Sequence, residues 1–229
     1  MNRQQVESLD QMAYETAKAL LQVANVSAFQ LFQDKKFRRL AGFNQLSQTE
    51  QDRIFNELVV GSIVLIMLIL EAPDLRVAAE LRGFLSSMNK KIPEAHLDYL
   101  RSLSVESKYI LQWKKLIDMR YEEYARDRHD VRAAAMEIES SEKRLDLDDL
   151  SKIQMLVPVQ TVAIGCHHHI CRGNTEGRDD LFKLTLRSLS GLYVQIRVRL
   201  EGGRITPLTR IRVIFKRILR RIFAGKRGL

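Results

Sequence analysis

The densest group of chemically capable side chains in this 229-residue sequence is Cys166-His-His-His-Ile-Cys171. Thiolate sulfur and imidazole nitrogen are the ligands zinc prefers. On a helix His167 and Cys171 lie one turn apart on one face, while Cys166 and His169 share another, so each pair supplies half of a tetrahedral site. Cys166, His167, His169 and Cys171 are therefore the candidate metal ligands, and completing a site would take His96, His129 or a second subunit. The spacing departs from the usual paired-cysteine and paired-histidine zinc patterns. Free cysteines are commonly small buried hydrophobes, and three histidines before a glycine-bearing turn suit a helix end. The balance favours a chain without a cofactor, zinc being the one ion for which the segment has ligands.

No enzyme signature accompanies this cluster. Ala224-Gly-Lys-Arg looks like part of a phosphate-binding loop, but it lacks the first glycine, the Ser/Thr and the preceding strand. Nucleophile-elbow, zinc-protease, EF-hand and dinucleotide patterns are missing as well. Asp146, Asp148 and Asp149 could hold a hard cation, yet they read more naturally as the acidic start of a helix. The chain reads as non-enzymatic, with catalysis by scattered residues left open and a zinc-binding protein or enzyme as a further alternative.

Charge is more informative. The chain has 37 Lys+Arg against 28 Asp+Glu, a net charge of +9. Nine of the basic residues, and no acid, fall in 202–229, so residues 1–201 are electrically balanced. Two cysteines, both in one short segment, argue against a secreted disulfide framework and for the cytoplasm. The N-terminus lacks the basic start and apolar run of a secretory signal. The apolar stretch 58–70 is 13 residues long, short of the roughly 20 that span a bilayer, and predicts a buried core helix.

The elements that must position these residues read as all-α: a bundle of about six to eight helices, one of them long and partly protruding, closed by a basic amphipathic C-terminal helix. A first helix is expected over 4–40, with Leu9, Met12, Leu20, Val23, Phe29 and Phe32 on its apolar face and Gly42 ending it. Ser47 and Glu50 form a capping-box pattern opening a helix that reaches Leu70. Its second half, apolar all round, suits the centre of the bundle. Pro73 is placed for the first turn of a helix over 74–90, and Pro93 for the next. From Glu94 the pattern stays helical for some 45 residues, with Leu103, Ile110, Ile117, Tyr124, Val131 and Ile138 at every seventh position. The charged stretch 120–149 is expected to leave the core, either as an exposed helix–turn edge with no binding role, the favoured reading, or as an arm that packs on a protein partner. Asp146 to Asp149 open a further helix that Pro158 should kink, and 172–177 is a loop. Phe182, Leu186, Leu189, Tyr193, Ile196 and Leu200 make one continuous helical face. A short β-hairpin at 194–213 is the minor alternative, because 194–200 alternates and Gly202-Gly203 offers a turn. The domain reading is a body over 1–172, with its long exposed helix at 94–140, and a C-terminal helical hairpin over 178–229.

A wheel over 208–224 puts Leu208, Ile211, Ile214, Phe215, Ile218, Leu219, Ile222 and Phe223 on one half. Arg210, Lys216, Arg217, Arg220 and Arg221 occupy the other, with Arg212 and Val213 as exceptions. With Arg204, Lys226 and Arg227 these cations are the candidate contacts to nucleic-acid backbone, a sequence-independent and salt-sensitive mode of binding. No interleaved aromatic platform or zinc-finger spacing supports base readout. The same helix suits an anionic membrane, with Phe215 and Phe223 inserted. A third reading pairs its charge with an acidic patch on a partner or on the exposed arm.

Overall fold

The computed structural model describes residues 3–141 and 144–201. Among these are seven α-helices, two short 3-10 turns and no strand, as expected for an all-α bundle. The helices are α1 (Arg3–Gln33), α2 (Lys35–Leu40), α3 (Gln48–Leu70), α4 (Arg82–Ser102), α5 (Ser107–Ser140), α6 (Leu147–Ile170) and α7 (Asp179–Glu201).

Helix α3 is the axis of the bundle. Ser47 caps it, its side chain accepting from the Glu50 amide at 3.3 Å. The reciprocal half of the capping box is not made, because the Glu50 carboxylate turns to Arg53 and Arg172 instead. Every residue from Glu57 to Leu70 is buried, and α3 packs against α1, α4, α5, α6 and α7. By length and composition it is the one described helix able to cross a membrane, but here five protein helices cover its apolar surface.

The first expected helix is two. Asp34 leaves helical geometry (ψ 122°), and its carboxylate caps α2 by accepting from the Phe37 amide at 2.8 Å. The break tucks Phe37 into the core, where it meets Phe43 and, through it, Phe32 and Phe55. Gly42, in the left-handed region at φ +73°, closes this corner as expected. The buried stripe of α1 is Ala13, Ala17, Leu20, Leu21, Ala24, Ala28 and Leu31. Leu9, Met12 and Phe29, expected inside, are exposed. Alanines let α1 lie close to α3 and α4, so backbone proximity rather than side-chain bulk selects the face.

Pro73 starts no helix. Residues 71–78 form an irregular strap, held because the Arg82 guanidinium donates to the carbonyls of Ala72, Pro73 and Leu75. Helix α4 begins only at Arg82 and carries Pro93 in its interior. The expected 45-residue helix is also broken. At its C-terminus α4 makes a Schellman turn, with Ser104 at φ +59°, its amide donating to Arg101 and the Val105 amide donating to Leu100.

In α5 the buried residues are Ile110, Ile117 and Tyr124, three consecutive members of the seven-residue seam. Val131 is half-buried and Ile138 exposed, so the helix leaves the core beyond Tyr124. Helix α6 opens with Asp146 and Asp149 capping each other's backbone amides, and Pro158 lies buried within it. Helix α7 runs unbroken to Glu201, so 194–200 is helical and not one arm of a hairpin. Its buried face belongs to the same core as α1 and α3. The remainder of the hairpin alternative and the helix expected over 208–224 lie outside the described residues.

Two stability tests follow from this packing. Tyr124 lies over Gly165, where a β-carbon would sit 2.1 Å from the ring. Gly165→Ala is expected to cost about 3 kcal/mol by urea unfolding, and an unchanged midpoint would show that the ring has room to move. His96 is 2% exposed, packs on Trp113, and has neither ring nitrogen hydrogen-bonded. Burial pulls its pKa from 6.5 down to about 4. The unfolded chain therefore takes up a proton that the fold refuses, so stability is full above pH 6.5 and falls toward pH 4, by at most about 3 kcal/mol. His96→Leu should remove this share of the acid sensitivity; an unaltered pH profile of the denaturation midpoint would contradict it.

Candidate functional site

The Cys-His segment is the last turn and a half of α6. The helix ends in a second Schellman turn, in which Arg172, at φ +51°, donates its amide to His169 and Gly173 donates to His168. Arg53, from the start of α3, reaches across and donates to the carbonyls of His169 (2.7 Å) and Ile170 (3.1 Å). A cation at these carbonyls complements the negative end of the helix dipole. The carbonyls at this end are therefore bound by protein groups.

The four side chains expected as metal ligands have separate surroundings. Cys166 is wholly buried against Gly61 and Val162, its Sγ 3.7 Å from the Glu57 carbonyl oxygen, and burial pushes its thiol far above the ordinary value. His167 packs on Phe182, and burial lowers its pKa. His169 turns to the Glu123 carboxylate (2.8 and 3.0 Å) and stacks on Tyr124. Cys171 is buried and its thiol also raised by burial. Burial thus favours the protonated form of both thiols, the form least suited to nucleophilic attack. Among the described residues no group of three or more His, Cys, Asp or Glu side chains is placed to hold a metal ion.

What the segment does join is a network that sequence reasoning missed. Glu57 is 5% exposed on the otherwise apolar α3, and Arg120 of α5 donates to both of its oxygens at 2.8 and 3.0 Å. Arg120 also meets Glu123 at 3.1 Å, and Glu123 meets His169. Burial opposes the charge on Arg120, but the Glu57 carboxylate more than offsets it and holds the pKa above the ordinary arginine value. The chain Glu57, Arg120, Glu123, His169 ties α3, α5 and α6 together. Its one legible trace in the sequence is a lone acid at the threshold of an apolar run, a position that demands a buried cation.

A second such cluster fixes the end of α7. Arg197 donates to the Asp74 carboxylate (2.6 Å), the Asp74 carbonyl (3.0 Å) and Glu201, and also to the Tyr193 hydroxyl (2.9 Å). Arg197 lies on the inward face of the helix, between Tyr193 and Leu200 in the expected spacing. The candidate phosphate contacts, Arg204, Arg210, Lys216, Arg217, Arg220, Arg221, Lys226 and Arg227, all lie outside the described residues. No family model, curated protein or solved structure matches the chain.

Removing one partner of the Glu57–Arg120 pair leaves a buried charge unpaired. Arg120→Met is expected to cost about 3–5 kcal/mol, and Glu57→Leu combined with Arg120→Met much less than the sum of the two single changes. Additive losses in the double-mutant cycle would show that the two groups do not act as a pair.

Proposed function

We propose that the protein is a non-enzymatic helical adaptor that binds nucleic-acid backbone, without sequence preference, through its C-terminal cationic segment. The observation that carries this reading is the partition of charge: the whole excess of +9 lies in 202–229, and the rest of the chain is balanced. Several arginines of the body support it by being committed to contacts within the bundle. Arg53 and Arg82 are spent on backbone carbonyls, and Arg120, Arg128 and Arg197 on carboxylates. The Arg197 cluster anchors α7 up to the residue before the segment begins, which gives the segment a fixed root on a rigid body.

Binding of this kind releases condensed counterions. Engagement of six to eight phosphates would give a slope of about −5 to −7 in log K against log salt on duplex DNA. Arg217→Glu with Arg220→Glu and Arg221→Glu should weaken binding at least tenfold and flatten that slope by about 3. Equal affinity of this variant and the parent chain, measured by fluorescence anisotropy across a salt series, would overturn the reading.

One feature of the sequence favours a second reading: a helical wheel over 208–223 sets eight large apolar residues opposite the cations, the pattern of an interfacial membrane helix. In that case Phe215→Ser with Phe223→Ser would abolish sedimentation with anionic vesicles and leave duplex binding nearly unchanged.

A further inference from the structure

The topology brings the root of the cationic segment and a surface that bears exposed carboxylates to one end of the bundle. Helices α3 and α6 run antiparallel: Arg53 near the start of α3 binds the last carbonyls of α6, and Gly61 faces Val162 and Cys166. The start of α6 therefore lies by the end of α3. Helix α5 passes α3 in the opposite sense to α6, since Arg120 meets Glu57, whereas Arg128 meets Glu71 just past the α3 terminus. Its last three turns consequently project beyond that terminus and return as the first turns of α6. Helix α7 ends there too, with Arg197 on Asp74 and Glu201 on the Arg76 amide, both in the strap that follows α3.

The projecting tip is acidic and apolar together. Residues 133–152 carry six acids against three bases, in a chain whose residues 1–201 are balanced as a whole, and Lys152 pairs with Asp148. Glu137, Asp146 and Asp148 are exposed on it. Between them stand Met136, Ile138 and Leu150, all exposed, and Leu147, which is 85% exposed. Ile138 continues the seam that is buried at Ile117 and Tyr124, and it loses its cover only because the body has ended. A surface of leucine and isoleucine set among carboxylates is complementary to a segment that alternates isoleucine and phenylalanine with arginine at helical spacing.

We propose that residues 202–229 dock on the tip of the α5–α6 hairpin of their own chain, with Arg and Lys on Glu137, Asp146 and Asp148 and the apolar half against Ile138 and Leu147. The contact is autoinhibitory, because the same cations cannot hold carboxylates and phosphates at once. Reach is no obstacle: α5 projects by about 18 Å beyond Arg128, whereas 28 residues can span several times that distance. The regulatory consequence rests on the phosphate-binding reading above, but the contact itself does not.

Zero-length carbodiimide cross-linking of the full chain, mapped by mass spectrometry, tests the contact without nucleic acid. Expected are links from Lys216 or Lys226 to Glu137, Asp146 or Asp148, with a yield unchanged on dilution and reduced by high salt. Glu137→Gln with Asp148→Asn, two exposed positions whose change should leave the unfolding midpoint in place, should cut that yield and tighten duplex binding about three- to tenfold. Absence of these links, or their loss on dilution, which would place the segment on a second copy, overturns the proposal. Links in a protein that binds no duplex sustain the docking and sink the nucleic-acid reading, and tight duplex binding without links does the reverse.

Discussion

Helix α3 has no face it can show to water, and that constraint organises everything around it. A helix with one apolar stripe needs a neighbour on one side; a helix apolar all round needs neighbours on every side. Five helices meet this need, among them α1 with alanines where the approach is closest, α5 with Ile117 and Tyr124, and α6 with Cys166 and Val162. The cysteine that opens the Cys-His segment is there as a small apolar filler against Gly61. That accounts for a thiol in the centre of a bundle without any appeal to its reactivity.

Enclosure of α3 also sets the electrostatics. A carboxylate taken out of water at Glu57 must be paired, and Arg120 supplies both the charge and the two hydrogen bonds. The arginine in turn recruits Glu123, and Glu123 recruits His169. At the other end Arg197, buried in α7, recruits Asp74, Glu201 and Tyr193. Each cluster joins elements distant in sequence, so these buried charges are satisfied within the body. The positive excess of the sequence is left to 202–229.

Sequence and structure part company mainly at helix ends. The expected ends at Gly42 and before 172–177 are met, whereas the breaks at Asp34 and at Ser104 were invisible. The reason is local. A glycine announces a left-handed terminus, but at both Ser104 and Arg172 a residue with a β-carbon adopts that conformation because the Schellman hydrogen bonds and the packing around it outweigh the strain. Pro73 misled for a related cause. Its φ suits a helix start, yet Arg82 gathers three carbonyls of the strap and Arg197 holds Asp74, so the helix forms more than two turns later.

By itself the sequence determined the all-α class, the central place of 58–70, the seven-residue seam of α5 and the segregation of positive charge to 202–229. These depend on the order and spacing of residue types along one helix, which no partner needs to supply. Tertiary structure alone decided which face of α1 is buried, which arginines meet which carboxylates, and that the Cys-His segment is a braced helix end. It also decided that the acidic hairpin tip stands at the same end of the bundle as the last residue of α7. Each of these is a relation between elements far apart in the chain, settled by volume and by the cost of leaving a charge unpaired, and neither quantity exists until the helices have packed.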